Sequence, residues 1–130
     1  MSDNDKFKII NTMGHIFSFC SAGGSEFALG RNQSIQILDA KQNAIKNILK
    51  GYDEIYTCVL FHNNQILSGS NTASIKIWSL KTFKCIQSIQ NVHDIEYTNL
   101  IVSNNIILAS NPEVKRIRLW QSDDFTKPLE

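Results

Sequence analysis

The feature that most constrains this chain is a repeat of about forty residues, a period that belongs to arrays of small structural units. Ser34-Ile35-Gln36-Ile37-Leu38-Asp39 recurs as Ser74-Ile75-Lys76-Ile77-Trp78-Ser79 and again as Arg116-Ile117-Arg118-Leu119-Trp120-Gln121. The leading aliphatic residues stand at 35, 75 and 117, spacings of 40 and 42. Each copy alternates aliphatic and polar residues before a large apolar one. That alternation predicts a strand with two distinct faces.

A second strand precedes each copy: Glu26 to Gly30, Gln65 to Ser70, and Ile106 to Ser110. Arg31-Asn32-Gln33, Asn71-Thr72-Ala73 and Asn111 to Lys115 link the pairs, and their composition marks hairpin turns. Upstream lie apolar strands at His15–Cys20, Ile55–Phe61 and Ile95–Val102. Downstream, Ala44–Leu49 and Cys85–Ile89 supply a fourth strand, whereas the third copy reaches Lys127-Pro128-Leu129-Glu130 where its fourth strand should begin. Four short strands per unit, repeated three times, predict an all-β chain of radially arranged antiparallel sheets. The expected units are 14–50, 51–90 and 91–130, the last with a truncated final strand, after an N-terminal segment 1–13.

Composition narrows the function. With 130 residues and 42% apolar content, the chain reads as globular. Its formal charge of +1 lacks the electrostatic footprint of a protein that neutralises many phosphates. Lys115-Arg116-Ile117-Arg118 is the densest basic stretch, and its alternation fits a solvated strand face better than a nucleic-acid patch. Cys20, Cys58 and Cys85 are odd in number and widely spaced, without CxxC pairs or clustered histidines. Neither a disulfide framework nor a zinc site is expected, and reduced thiols in the cytoplasm or nucleus fit best. No segment has the apolar length of a membrane span or a signal peptide. Ala22-Gly23-Gly24-Ser25 is glycine-rich but lacks the frame of a phosphate-binding loop, so it is expected to be a turn. The thirteen asparagines are dispersed through strands and turns rather than gathered in a low-complexity tract.

The repeats resemble those of the WD40 family. The best copy runs from Gly51-Tyr52-Asp53 through Ile66-Leu67-Ser68-Gly69-Ser70 to Ile77-Trp78-Ser79, similar to the family's Gly-His opening, small-residue strand end and terminal Trp-Asp. Gly14-His15 supplies the opening dipeptide in the first copy, and Leu38-Asp39 the acid without the tryptophan. The resemblance implies a partial β-propeller of three four-stranded antiparallel blades. It implies structural roles for Trp78, Trp120, Leu38 and His15. In the second copy Thr72 and Tyr52 occupy the positions of the family's hydrogen-bonded Asp and His, so the usual buried network cannot form there. Each missing link would cost on the order of 1 kcal/mol.

WD40 propellers close with typically 4–8 blades, so three leave two apolar faces open. The resemblance therefore implies a non-catalytic protein–protein interaction scaffold, assembling with itself or within a larger complex through those faces. The alternative is the propeller part of a regulatory enzyme such as a ubiquitin-ligase substrate adaptor. Lys6 to Ile10 is either a strand that closes the last blade or a leader strand for the first. Partner-contacting loop positions carried over from the family are Arg31, Asn32, Tyr52, Asp53, Asn71, Thr72, His93, Asp94, Glu113, Lys115 and Arg116. Tyr52 and Arg31 rank first because aromatic and arginine side chains dominate hot spots. His15, His62 and His93 have no carboxylate or thiol partner at triad spacing. No cofactor, metal or small-molecule substrate is expected.

Overall fold

The computed structural model describes residues 9–11, 14–72, 74–90, 99–110, 117–121 and 124–129, with 52, 53, 90 and 124–129 as backbone only. All regular elements among them are strands: β1 Ser18–Ser21, β2 Glu26–Gly30, β3 Asn32–Asp39, β4 Ala44–His62, β5 Gln65–Ser70, β6 Ser74–Ser79, β7 Cys85–Gln90, β8 Asn99–Ser103, β9 Ile106–Ser110, β10 Ile117–Gln121 and β11 Asp124–Leu129. Every pairing is antiparallel between sequence neighbours, giving a seven-stranded run β1 to β7 and a four-stranded sheet β8 to β11.

The seven-stranded run is two blades that share one strand. Residues 44–50 of β4 pair with β3, whereas residues 56–62 pair with β5. The two strands expected at Ala44–Leu49 and Ile55–Phe61 are thus one 19-residue strand that leaves the outer edge of blade 1 and becomes the innermost strand of blade 2. Blade 1 comprises β1, β2, β3 and the first half of β4. Blade 2 comprises the second half of β4 with β5, β6 and β7, and blade 3 comprises β8 to β11.

The fourth strand of blade 3 corrects the sequence expectation. It is present as Asp124–Leu129, pairing Leu119 with Leu129 and Trp120 with Pro128, so this blade is not truncated. A register shift after Trp120 starts the strand three residues before Lys127, where the proline sets the expected boundary. Pro128 is tolerated because β11 ends the sheet order, and an edge strand can spare one donor. Of the expected closing strand Lys6–Ile10, only Ile9 and Ile10 fall within the described residues, and neither is in a strand.

Turn chemistry explains five of the thirteen asparagines. Asn63-Asn64 and Asn104-Asn105 form two-residue hairpins with positive φ at both positions. That geometry matches the strand twist and demands residues that accept left-handed backbone. Asn43 adopts it as well, so five of the seven non-glycine positive-φ residues described are asparagine. Gly23 and Gly24 supply the positive φ of the corresponding turn in blade 1.

The turns that close β3 and β6 are built alike. Asp39 Oδ1 accepts the amides of Lys41 and Gln42, and Ser79 Oγ those of Lys81 and Thr82. Pairing of Leu38 with Ile45 and of Trp78 with Cys85 places Asn43 and Phe83 at matching positions. Both have positive φ, 53° and 58°. For phenylalanine that conformation costs about 1–2 kcal/mol.

Two clusters hold the blades together. Ala28, Ile35, Ile37 and Leu49 of blade 1 pack on Tyr56, Val59, Ile66 and Trp78 of blade 2. The opposite face of blade 2, with Cys58, Leu67, Ile75 and Ile77, packs on Ile107, Ala109 and Trp120 of blade 3. Burying each such aliphatic side chain contributes about 1.5–3 kcal/mol. Trp78 and Trp120 therefore occupy equivalent places, each wedged against the preceding blade.

Candidate functional site: blade faces and loops

The inner surface of blade 2 that meets blade 1 carries an unexpected polar column. Ile66, Ser68 and Ser70 of β5 share this face with Trp78, Lys76 and Ser74 of β6. Trp78 Nε1 donates to Ser68 Oγ at 2.9 Å. Glu54, buried, accepts from Thr72 Oγ1 at 2.5 Å and Ser74 Oγ at 2.7 Å, while its second oxygen takes Lys76 Nζ at 2.6 Å. Ser70 Oγ joins them at 2.9 Å from Ser74 Oγ. Burial pushes the Glu54 carboxyl up, but the bonds from Lys76, Thr72 and Ser74 and the lysine's charge outweigh it, leaving the group below its ordinary value.

This column answers the missing Asp and His. The tryptophan–serine link forms, and Glu54 replaces the absent acid from a different strand. Sequence spacing does not single out Glu54, which flanks the strand expected at Ile55–Phe61. Its signal is the alternation Ser70, Thr72, Ser74, Lys76, which lines up donors that a buried acid would satisfy.

The loop residues fare unevenly as partner contacts. Arg31 is only 8% exposed, its Nη1 donating to Gln36 Oε1 at 2.7 Å, so its guanidinium is spent inside the fold. Asn71 exchanges bonds with Ile55, accepting its amide on Oδ1 at 2.8 Å, and Thr72 serves Glu54. Both are nonetheless exposed, as is Asn32. Tyr52 and Asp53 lie in β4 with side chains outside the described residues, and His93, Asp94, Glu113, Lys115 and Arg116 fall outside them altogether. His15 is exposed beside Phe17, with ring centroids 6.1 Å apart, rather than buried in a network.

The two outer faces are apolar. Register places Phe19, Phe27, Leu38 and Ile45 on the face of blade 1 turned away from blade 2. Phe19 is 74% exposed, and Phe27 and Leu38 are half-buried. Leu38 matches Trp78, but no described residue stands in front of it as blade 1 stands before Trp78. On blade 3, Ile101, Leu108, Ile117 and Leu119 share the face opposite Trp120. Ile101 and Ile117 are 59% and 56% exposed. The matching positions of blade 2 are Leu60, Leu67, Ile75 and Ile77, which pack against blade 3.

Reactive chemistry is muted. Burial raises the Cys20 thiol to about 11 and the Cys58 thiol to about 12. Among the described residues no three His, Cys, Asp or Glu side chains gather as a metal site, and no helix is long and apolar enough to cross a membrane.

No family model matches the chain. Over 84 residues it is 36% identical to the WD repeat-containing protein 89 homolog of Dictyostelium discoideum, covering 63% of this chain and 23% of that one. Over 100 residues it is 32% identical to pre-mRNA-processing factor 19 of Bos taurus, covering 74% and 19%. The chain thus spans about a fifth to a quarter of these relatives' length. In fold it is similar to the computationally designed Ika4 protein, with a TM-score of 0.76 at 18% identity over 95% of this chain and 75% of that one. Repeat spacing, shared-strand blades and relatives agree: the chain belongs with the WD40-repeat proteins, its three degenerate repeats forming consecutive blades of a partial β-propeller.

Proposed function

We propose that the chain is a non-catalytic interaction module whose outer blade faces take up further blades of the same kind, from a second copy or from the rest of a larger assembly. The observation that carries this is register equivalence. Ile101, Leu108, Ile117 and Leu119 repeat the set that blade 2 buries against blade 3. Contiguous apolar faces of this kind on a soluble protein mark interaction sites. Relatives built of WD repeats support an interaction role, and the raised Cys20 and Cys58 thiols give no support to covalent chemistry. The loops with Asn32, Asn71 and Thr72, together with Tyr52, Asp53, His93, Asp94, Glu113, Lys115 and Arg116, are a secondary surface for partners. A cytoplasmic or nuclear setting suits three free thiols.

The test is molar mass by size exclusion with light scattering, with and without Phe19→Asp and Ile101→Asp. An oligomer, or a stable complex with added propeller blades, that the two substitutions disrupt would support the proposal. A monodisperse folded monomer that recruits no blades would overturn it.

A further inference from the structure

Both blade joints within the chain are made the same way. The second and third strands of one blade offer aliphatic side chains, and the next blade answers with a tryptophan and its neighbours. Ala28, Ile35 and Ile37 of blade 1 meet Val59, Ile66 and Trp78 of blade 2. Leu67, Ile75 and Ile77 of blade 2 meet Ile107, Ala109 and Trp120 of blade 3. Leu108, Ile117 and Leu119 repeat the aliphatic half on the outer face of blade 3.

The outer face of blade 1 is the answering half, rebuilt. The pairing of Phe27 with Leu38 matches that of Ile66 with Trp78, and the pairing of Phe19 with Leu29 matches that of Val59 with Ser68. Where blade 2 sets Val59, Ile66 and Trp78, blade 1 therefore sets Phe19, Phe27 and Leu38. The bulk lost at the tryptophan returns at the two phenylalanines, as volume is conserved in packed surfaces. Leu29 takes the place of Ser68, which accepts the Trp78 indole, and with no indole at Leu38 that acceptor is not needed. A face left in water gains nothing from such compensation, yet Phe19 is 74% exposed in the single chain. The two open faces of this chain are thus the two halves of one joint.

Blade follows blade by one repeated rotation, so a head-to-tail contact between copies closes when the blade total suits a ring. Propellers close with typically 4–8 blades, and chains of three reach that range only as two copies, with six. We propose that two copies of the chain pair head to tail, the outer face of blade 3 of each on the outer face of blade 1 of the other, closing a six-bladed ring. This rests on the blade-adding role proposed above and names a second copy as the occupant of both faces.

The test is sedimentation equilibrium of the full chain, which should run as two chains per particle. The ring has two identical joints, and Phe19→Asp or Ile101→Asp alone damages both. Each should raise the dissociation constant about a hundredfold or more. Both residues are largely exposed in the single chain, so the blades should still fold, with an unchanged circular dichroism spectrum. Ile86→Asp, on the outermost strand of blade 2, should leave pairing within about twofold. An equimolar mixture of Phe19→Asp and Ile101→Asp chains rebuilds one intact joint per pair and should associate about tenfold or more tighter than either variant alone. A pair that survives either substitution, as like-with-like docking would, a mixture no tighter than its components, or three or more chains per particle would overturn the proposal. A single chain that takes up blades of another propeller would overturn it and leave the interaction module standing. A single chain that takes up none would sink both.

Discussion

Replacing Glu54 with glutamine removes one charge and almost no volume, so it isolates what the carboxylate contributes to blade 2. The amide oxygen could still accept from Thr72 and Ser74, but the neutral group could not pair with the Lys76 ammonium, held at 2.6 Å by the carboxylate. The side chains of Lys76 and Glu54 are 15% and 8% exposed, so the stranded cation would find little water. Breaking a buried pair from one side costs about 3–5 kcal/mol. The residual exposure of Lys76 lowers the expectation to about 2–3 kcal/mol, a large part of a domain's usual 5–15. Urea unfolding at neutral pH measures it, as a lower midpoint at unchanged slope. The pH profile gives a second readout. The folded Glu54 carboxyl sits below the ordinary 4.5, so its contribution is present above that value and is lost as pH falls through the folded pKa. Wild type should therefore lose stability on acidification below about 4.5 more steeply than Glu54→Gln. A penalty under about 1 kcal/mol with parallel acid limbs would refute the claim that the column is buried and charge-paired.

Gly51 lies directly over the Tyr56 hydroxyl, and a Cβ there would collide with the tyrosine side chain. Tyr56 is locked edge-on to Trp78, with centroids 5.9 Å apart, so Gly51→Ala should cost about 1–3 kcal/mol in thermal or urea unfolding. An unchanged midpoint would show that the ring moves freely. In the native protein Cys85 should react first with a thiol reagent, and Cys58 only at the rate of unfolding, because burial both hides it and raises its pKa to about 12. Simultaneous labelling of Cys58 and Cys85 would contradict the packing between blades 2 and 3.

The blades were legible because their cause is local: alternating apolar residues at a forty-residue period leave few other ways to bury both strand faces. Trp78 and Trp120 followed from the same pattern. The joint between blades 1 and 2 was not legible, because Gly51 reads as a break, although the chain passes through it extended over the Tyr56 ring. Arg31 failed as a surface residue for a similar reason. Its partner, Gln36, lies on the neighbouring strand in a register that no spacing rule supplies. Glu54 escaped notice because its donors are up to 22 residues away and converge only once β5 and β6 are paired. The asparagines, which composition alone left without meaning, became readable once the backbone showed five of them in left-handed turns.

The shared strand β4 has a consequence for how this molecule comes apart. In an ordinary array each repeat adds its own stability and a neighbour term, and end repeats can fray while the middle stays folded. Here a single hydrogen-bonded rod is both the rim of one blade and the innermost strand of the next. Peeling blade 1 away pulls directly on the strand that seeds blade 2. These two repeats should melt as one unit under heat or force, and a deletion cut at the sequence period, near Gly51, would shorten the rod that both blades share.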